Sequence, residues 1–182
     1  MSDSDEILLK NFPSAPNEVF EQLLSRYEKL IYHIAYRYFN HPQDACDMTQ
    51  EAAINIYRGL SRVALREGGT LKSWICTVTA HTCLDALRKR RVETTPMPET
   101  GVLDEVFNLT TPSAEDAAEA KERTAEIAAA IAKLPLEWRT LIILRETQGF
   151  SYQELSEATG VGVSTIKSRL SRARAALRDL LR

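Results

Sequence analysis

Hydrophobic residues recur along this chain at steps of three and four, the spacing that lines one side of an α-helix. Phe20, Leu23, Leu24, Tyr27, Leu30, Ile31, Ile34 and Tyr38 form the first such run. It meets Asn40-His41-Pro42, and proline lacks the amide hydrogen a helix interior needs, so the helix is expected to stop there. In DACDMTQEAAINIYRGL, a rotation of about 100° per residue gathers Ala45, Met48, Ala52, Ile56 and Leu60 into a buried stripe. Asp47, Gln50, Glu51, Ile54 and Arg58 then fall on the opposite face. Ile54 is either a lone exposed isoleucine, which is common, or the apolar anchor of a partner-binding face.

A third helix is expected through LKSWICTVTAHTCLDALRKRRV. Cys76, Ala80, Cys83, Leu84 and Leu87 make its mostly apolar side, while Trp74, His81, Asp85 and Arg88 share the other. It ends on Arg88, Lys89, Arg90 and Arg91, four cations where the helix dipole favours positive charge. A ring beside cations suits single-stranded nucleic acid, because bases stack while cations hold phosphates. The alternative for Trp74 is packing beneath the preceding helices. Val63 to Thr70, with two glycines, reads as a flexible loop before this helix.

The second half opens with the strongly helical AEDAAEAKERTAEIAAAIAKL. Pro135 is placed to occupy the first turn of a further helix carrying Trp138, Leu141, Ile142 and Leu144 and ending before Gly149. Ser151-Tyr-Gln-Glu154 is a capping box starting a short helix that reaches Thr159. Gly160-Val161-Gly162-Val163 supplies a tight turn, after which Ser164 or Thr165 is expected to cap the next helix. Two short helices joined by a glycine-containing turn are the helix-turn-helix pattern, whose second helix enters the major groove.

The angular pattern of that last helix agrees. Ile166, Leu170, Ala173 and Leu177 form its seam, Ser164, Thr165, Ser168, Ser171 and Arg172 point away, and Lys167 and Arg169 flank them. Small hydroxyls let the backbone approach DNA closely, and arginines fork onto guanine or clamp phosphate. From Ser164 to Arg182 six basic residues face one acidic residue, Asp179. A merely solvated basic helix would not require the capped helix and glycine turn before it, so the pattern favours DNA.

Between the halves, residues 92–113 hold three prolines, one glycine and no basic residue. Glu93, Glu99, Asp104 and Glu105 charge this stretch, and Glu115, Asp116, Glu119, Glu122 and Glu126 continue the acidity. No Asn-Gly or Asp-Gly turn sits between alternating apolar runs. The expected fold is all-α: two small helical domains, 1–91 and 114–182, joined by a flexible acidic linker, 92–113.

A formal net charge of −2 excludes a uniformly basic coat but leaves room for local basic patches. Cys46, Cys76 and Cys83 are too few and odd in number for a disulfide framework. Cys76 and Cys83 lie two turns apart with no histidine on their side, which points to core thiols rather than a zinc site. His81 has no partner that would make it catalytic. No nucleotide loop, metal cluster or nucleophile–base set appears, so the expectation is a non-enzyme without cofactor or metal. No apolar run is long enough to span a bilayer, and MSDSDEILLKNF lacks the features of a signal peptide, so a soluble intracellular protein is expected.

Two blocks resemble the sigma-70 family of bacterial transcription initiation factors, specifically the small extracytoplasmic-function group. DACDMTQEAAINIYRGL with KSWICTVTAHTCLDALRKRR downstream resembles the family's region 2. LPLEWRTLIILRETQGFSYQELSEATGVGVSTIKSRLSRARAAL resembles region 4. The resemblance implies that Asp47, Gln50, Glu51, Ile54 and Arg58 dock on the β′ clamp coiled coil of core RNA polymerase. It implies that the helix bearing Trp74, His81, Asp85, Arg88, Lys89, Arg90 and Arg91 recognises the −10 promoter element. Ser164, Thr165, Lys167, Ser168, Arg169 and Arg172 would bind the −35 element, with the second domain also touching the β flap. The linker would follow a polymerase channel near the active centre, and an anti-sigma factor, in some cases at the membrane, would hold the protein in the cytoplasm. The rival reading is a self-sufficient repressor or activator that dimerises through its first domain.

Overall fold

The computed structural model describes residues 3–63, 69–93 and 114–182, with side chains over 5–63, 69–90 and 123–182. The acidic linker, the middle of the 63–70 loop, the Arg91 side chain and the acidic side chains from Glu115 to Glu122 lie outside the described residues. Every regular element among the described residues is helical. The first group comprises α1 (Asp3–Asn11), α2 (Pro16–Phe39), α3 (Pro42–Leu60) and α4 (Leu71–Glu93). The second comprises α5 (Ala114–Ala132), α6 (Leu136–Ile142), a π-helical turn over Ile143–Thr147, α7 (Tyr152–Thr159) and α8 (Val163–Leu180). No described helix is long and apolar enough to cross a membrane.

The periodic apolar positions go where their spacing sends them. Leu23, Tyr27, Ile31, Ile34 and Tyr38 of α2 are buried, as are all five residues of the α3 stripe. The break between α2 and α3 is made differently from the expectation. Asn40 ends α2 by adopting the left-handed conformation, φ 51°, with its amide donating to the Tyr36 carbonyl. Pro42 instead opens α3, behind His41, whose Nδ1 accepts from the Asp44 amide. Asp44 also accepts from Arg90 at 2.6 Å, and the Arg90 guanidinium lies over the Phe39 ring, 5.2 Å from its centroid. The basic tail of α4 is thereby tied to the junction between α2 and α3.

Helix α1 was not signalled by periodicity. It is held by Asp5, a buried carboxylate that accepts from the Tyr27 hydroxyl at 2.8 Å and pairs with Arg26. Burial, helped by the Asp5 carboxylate, pushes the Tyr27 phenol up to about 12. Leu8 and Phe12 then join Leu23, Ile31, Ala52, Ile56, Leu71 and Ile75 in one apolar cluster. Trp74 packs at the border of this cluster, against Gly59.

A second cluster crosses between the groups. Ile34, Tyr38, Ala45, Met48, Ala80 and Cys83 are continuous with Ile131, Leu141, Ile142, Leu155, Ile166 and Leu170. The two halves therefore share a core. At its edge Arg139 is only 8% exposed, and it donates to the Tyr38 carbonyl at 2.6 Å, to the Leu134 carbonyl at 3.2 Å and to the Ala132 carbonyl. These carbonyls belong to the C-terminal ends of α2 and α5, where helix dipoles stabilise a cation. The Tyr38 hydroxyl donates to Thr140 Oγ1 at 2.9 Å beside it.

In the second group, Pro135 stands at the N-cap of α6 rather than inside its first turn. Ser151 and Glu154 make the expected reciprocal capping box. Gly160 closes α7 at φ 68°, a conformation that costs a side-chain-bearing residue. Neither Ser164 nor Thr165 caps α8: the helix begins at Val163, with Gly162 extended at the cap, so both hydroxyls belong to the first turn.

Two stability tests follow from this packing. A Cβ on Gly59 would lie 2.7 Å from the Trp74 ring, and a ring wedged in a cluster cannot swing away cheaply. Gly59→Ala should therefore lower stability by about 1–3 kcal/mol despite the better helix propensity of alanine, with a shift in Trp74 fluorescence. The Arg90 hydrogen bond holds the Asp44 carboxyl below the usual carboxylate range. A depressed folded value means the contribution is complete above the unfolded value of about 4 and fades as pH falls through the folded one. Denaturant titrations should show Asp44→Asn destabilised at pH 7 and the difference from the parent shrinking below about pH 4.

Candidate nucleic-acid and partner faces

Three helical faces carry the residues singled out by sequence. On α3, Asp47, Gln50, Glu51, Ile54 and Arg58 are all exposed, and Ile54 is 51% exposed. Tyr57 is also exposed, one turn beyond Ile54, with its ring edge against Phe20 at 5.0 Å. The face thus presents an aliphatic residue ringed by two carboxylates, an amide and a guanidinium, with its backbone locked by the buried stripe beneath.

On α4, Cys76, Ala80 and Cys83 are buried, and desolvation pushes both thiols up to about 12. They are protonated core groups at neutral pH. His81, Asp85, Arg88, Lys89 and Arg90 are exposed. Arg88 pairs with Asp85 at 3.5 Å, while Lys89 lines an open groove of about 490 Å³ with Glu51, Asn55 and Thr82. Trp74 stands apart from these residues, half-buried and packed on Gly59. Thr82 bonds back to the Val78 carbonyl and accepts from Asn55 of α3, fixing the floor of the groove.

On α8, Ile166, Leu170 and Ala173 are buried and Leu177 is half-buried. Ser164, Thr165, Lys167, Ser168, Ser171 and Arg172 are exposed along the outer side. Arg169 sits at the edge and pairs with Glu137 of α6 at 2.7 Å. Arg174 binds Glu146 at 2.6 Å, and that carboxylate holds its guanidinium in the charged form more firmly than usual. Lys167 and Arg145 both lie over the Tyr152 ring, 5.4 and 4.7 Å from its centroid. These contacts fix α8 against α7 and the π-helical turn, so the serines and Arg172 project from a rigid helix.

The second group packs on the buried side of α4 and reaches the edge of its exposed side. His81 Nε2 is 2.8 Å from the Ala158 carbonyl of α7, Ser73 donates to Glu154 at 3.3 Å, and Cys76 Sγ is 3.9 Å from Gln148 Oε1. His81, Asp85 and Arg88 of α4 face Glu137 and Arg169 across a cleft of about 360 Å³. Residues from two of the three faces thus line one cleft. Sequence reasoning missed Arg139 and Tyr38, whose contacts create this arrangement; a buried stripe and a lone arginine in LEWRTLI carry no signal of each other.

Comparison with known proteins fits this geometry. The profile described as Sigma-70 region 2 matches residues 23–93, covering α2 to α4, and that described as Sigma-70, region 4 matches residues 124–177. RNA polymerase sigma factor SigV of Bacillus subtilis is 31% identical over 144 residues, 78% of each chain. ECF RNA polymerase sigma factor SigE of Mycolicibacterium smegmatis is 31% identical over 163 residues; the match takes in 89% of this chain and 61% of that relative's length. Among solved structures, sigma factor RpoE of Bartonella quintana, determined in complex with the anti-sigma factor NepR, shares the fold with a TM-score of 0.67 at 24% identity, over 89% of this chain and 96% of that one. Region 2 in the α2–α4 bundle, region 4 in the helix-turn-helix and relatives of this kind lead to one conclusion: the chain belongs to the sigma-70 family of RNA polymerase sigma factors, in its extracytoplasmic-function group.

Proposed function

We propose that the protein is a detachable promoter-specificity subunit that binds core RNA polymerase in the cytoplasm and directs it to promoters with a −10 and a −35 element. The observation that carries this reading is the pairing of an exposed α3 face around Ile54 with two basic helices, α4 and α8, in one chain. Ile54, with Asp47, Gln50, Glu51 and Arg58, docks on the β′ clamp coiled coil. His81, Asp85 and the basic run Arg88 to Arg91 engage the −10 element, where cations hold phosphates and unstacked bases find a groove. Trp74 serves this face by supporting α4 from beneath rather than by stacking on bases, since its ring is packed on Gly59. Ser164, Thr165, Lys167, Ser168, Arg169 and Arg172 form the major-groove face for the −35 element, and the second domain touches the β flap. An anti-sigma partner holds the factor inactive; the Bartonella quintana relative was determined in complex with the anti-sigma factor NepR. Residues 1–91, 92–113 and 114–182 act as region 2, linker and region 4.

Run-off transcription with purified core polymerase tests the whole reading; tight duplex binding alone, with no programming of core polymerase, would instead indicate a self-sufficient regulator. Two substitutions test the faces. Ile54→Asp, on an exposed position, should weaken core binding about tenfold or more while leaving the circular dichroism spectrum unchanged. Equal affinity would remove this face from the assignment. Arg172→Ala should weaken −35-dependent binding and, if Arg172 clamps a phosphate, lower the slope of log affinity against log salt by about one.

A further inference from the structure

We propose that α1 is part of the polymerase-docking apparatus: through Phe12 it seats the Tyr57 ring as a second anchor beside Ile54 on α3. The inference rests on the α3 docking reading above and goes further. It adds a contact residue to that face. It also gives a function to a helix that precedes residues 23–93, the stretch matched by the region 2 profile.

Tyr57 belongs to the docking face by geometry. At about 100° per residue it falls roughly 20° from Gln50 and roughly 60° from Ile54 around the axis of α3. Ile54 and Tyr57 are the exposed large hydrophobic residues of that helix. Tyrosine combines a large apolar ring with few rotatable bonds, and it is enriched where protein surfaces meet. Continuity with Ile54 commits the ring to the same occupant, core polymerase.

The ring is held in place before any partner arrives. Phe12 meets it edge-on at 5.8 Å and Phe20 does so at 5.0 Å, with interplanar angles of 76° and 79°. Its hydroxyl donates to Asn17 Oδ1 at 3.2 Å, so residues from outside α3 fix one exposed side chain. A side chain already fixed loses little freedom on binding, which strengthens association without a new contact.

Phe12 depends in turn on α1. It is buried, it follows the helix directly, and its amide donates to the Leu8 carbonyl at 3.0 Å. Helix α1 is itself pinned at Asp5, the buried carboxylate that accepts from Tyr27 and pairs with Arg26. The order of dependence runs from Asp5 through α1 and Phe12 to Tyr57. Asp5, Phe12 and Asn17 are positioning residues, and Tyr57 is the one that touches the polymerase.

The affinity of the full chain for purified core polymerase, read by fluorescence anisotropy, tests this. Tyr57→Ala should weaken binding about tenfold or more, and Tyr57→Phe, which keeps the ring, about threefold. Unchanged affinity of Tyr57→Ala overturns the anchor. Asp5→Asn should weaken binding about threefold in the wild-type background and add nothing once Tyr57 is alanine. Its urea midpoint should fall by the same amount in both backgrounds. A merely structural α1 would give equal losses of affinity with and without Tyr57. That result, or no loss in either background, overturns the seating. Should circular dichroism show that Asp5→Asn loses helix, Asn17→Ala, at an exposed position, makes the same comparison. Ile54→Asp separates the two readings. A loss there without one in Tyr57→Ala sinks the extension alone, and a loss in neither sinks the docking face and the extension with it.

Discussion

The arrangement of the molecule hangs on one buried cation. Arg139 enters a corner where α2 and α5 both end, and the carbonyls that helices leave unpaired at their C-termini receive it. Burial disfavours the charged guanidinium and lowers its proton affinity, yet arginine stays charged at any pH at which the protein is folded. The site must therefore be polar enough to hold a full charge with no counter-ion among the described residues. Two helix ends aimed at one point meet that requirement, and they fix where the second domain stands relative to the first.

The consequences run outward through packing. With α2 and α6 held together, Tyr38 is sealed, its phenol is driven far above its ordinary range, and its hydroxyl has Thr140 to donate to. The apolar seam between the groups then closes over Ala80 and Cys83, and α7 comes to lie on His81. Nothing in this chain of contacts involves the outer side of α3 or the serine-rich side of α8. Both faces remain exposed, as do His81, Asp85, Arg88, Lys89 and Arg90 along α4.

Legibility in the sequence divided along the same line. Interactions local in sequence were readable: the α3 stripe from its period, the Ser151–Glu154 box from its spacing, and the left-handed Gly160 from its place after a short helix. The helix-turn-helix followed from these. What failed depended on distant partners. Helix α1 is short and acidic, and it is fixed by Asp5 reaching Tyr27 across 22 positions. The α8 cap was misplaced because glycine can cap as well as serine, and only the backbone path decides between them. The end of α2 was credited to Pro42 although Asn40 makes the turn. The docking of the two halves was invisible because a residue such as Tyr38 satisfies the period of its own helix whichever neighbour covers it.

Glu154 takes part both in the docking and in the cap of its own helix. One of its carboxylate oxygens accepts from the Ser151 amide at 2.7 Å and so sets where α7 begins; the other meets Ser73 of α4. A carboxylate has lone pairs enough for both. The contact with the first domain is therefore an addition to the cap and not a substitute for it. The cap of α7 does not depend on the contact with α4.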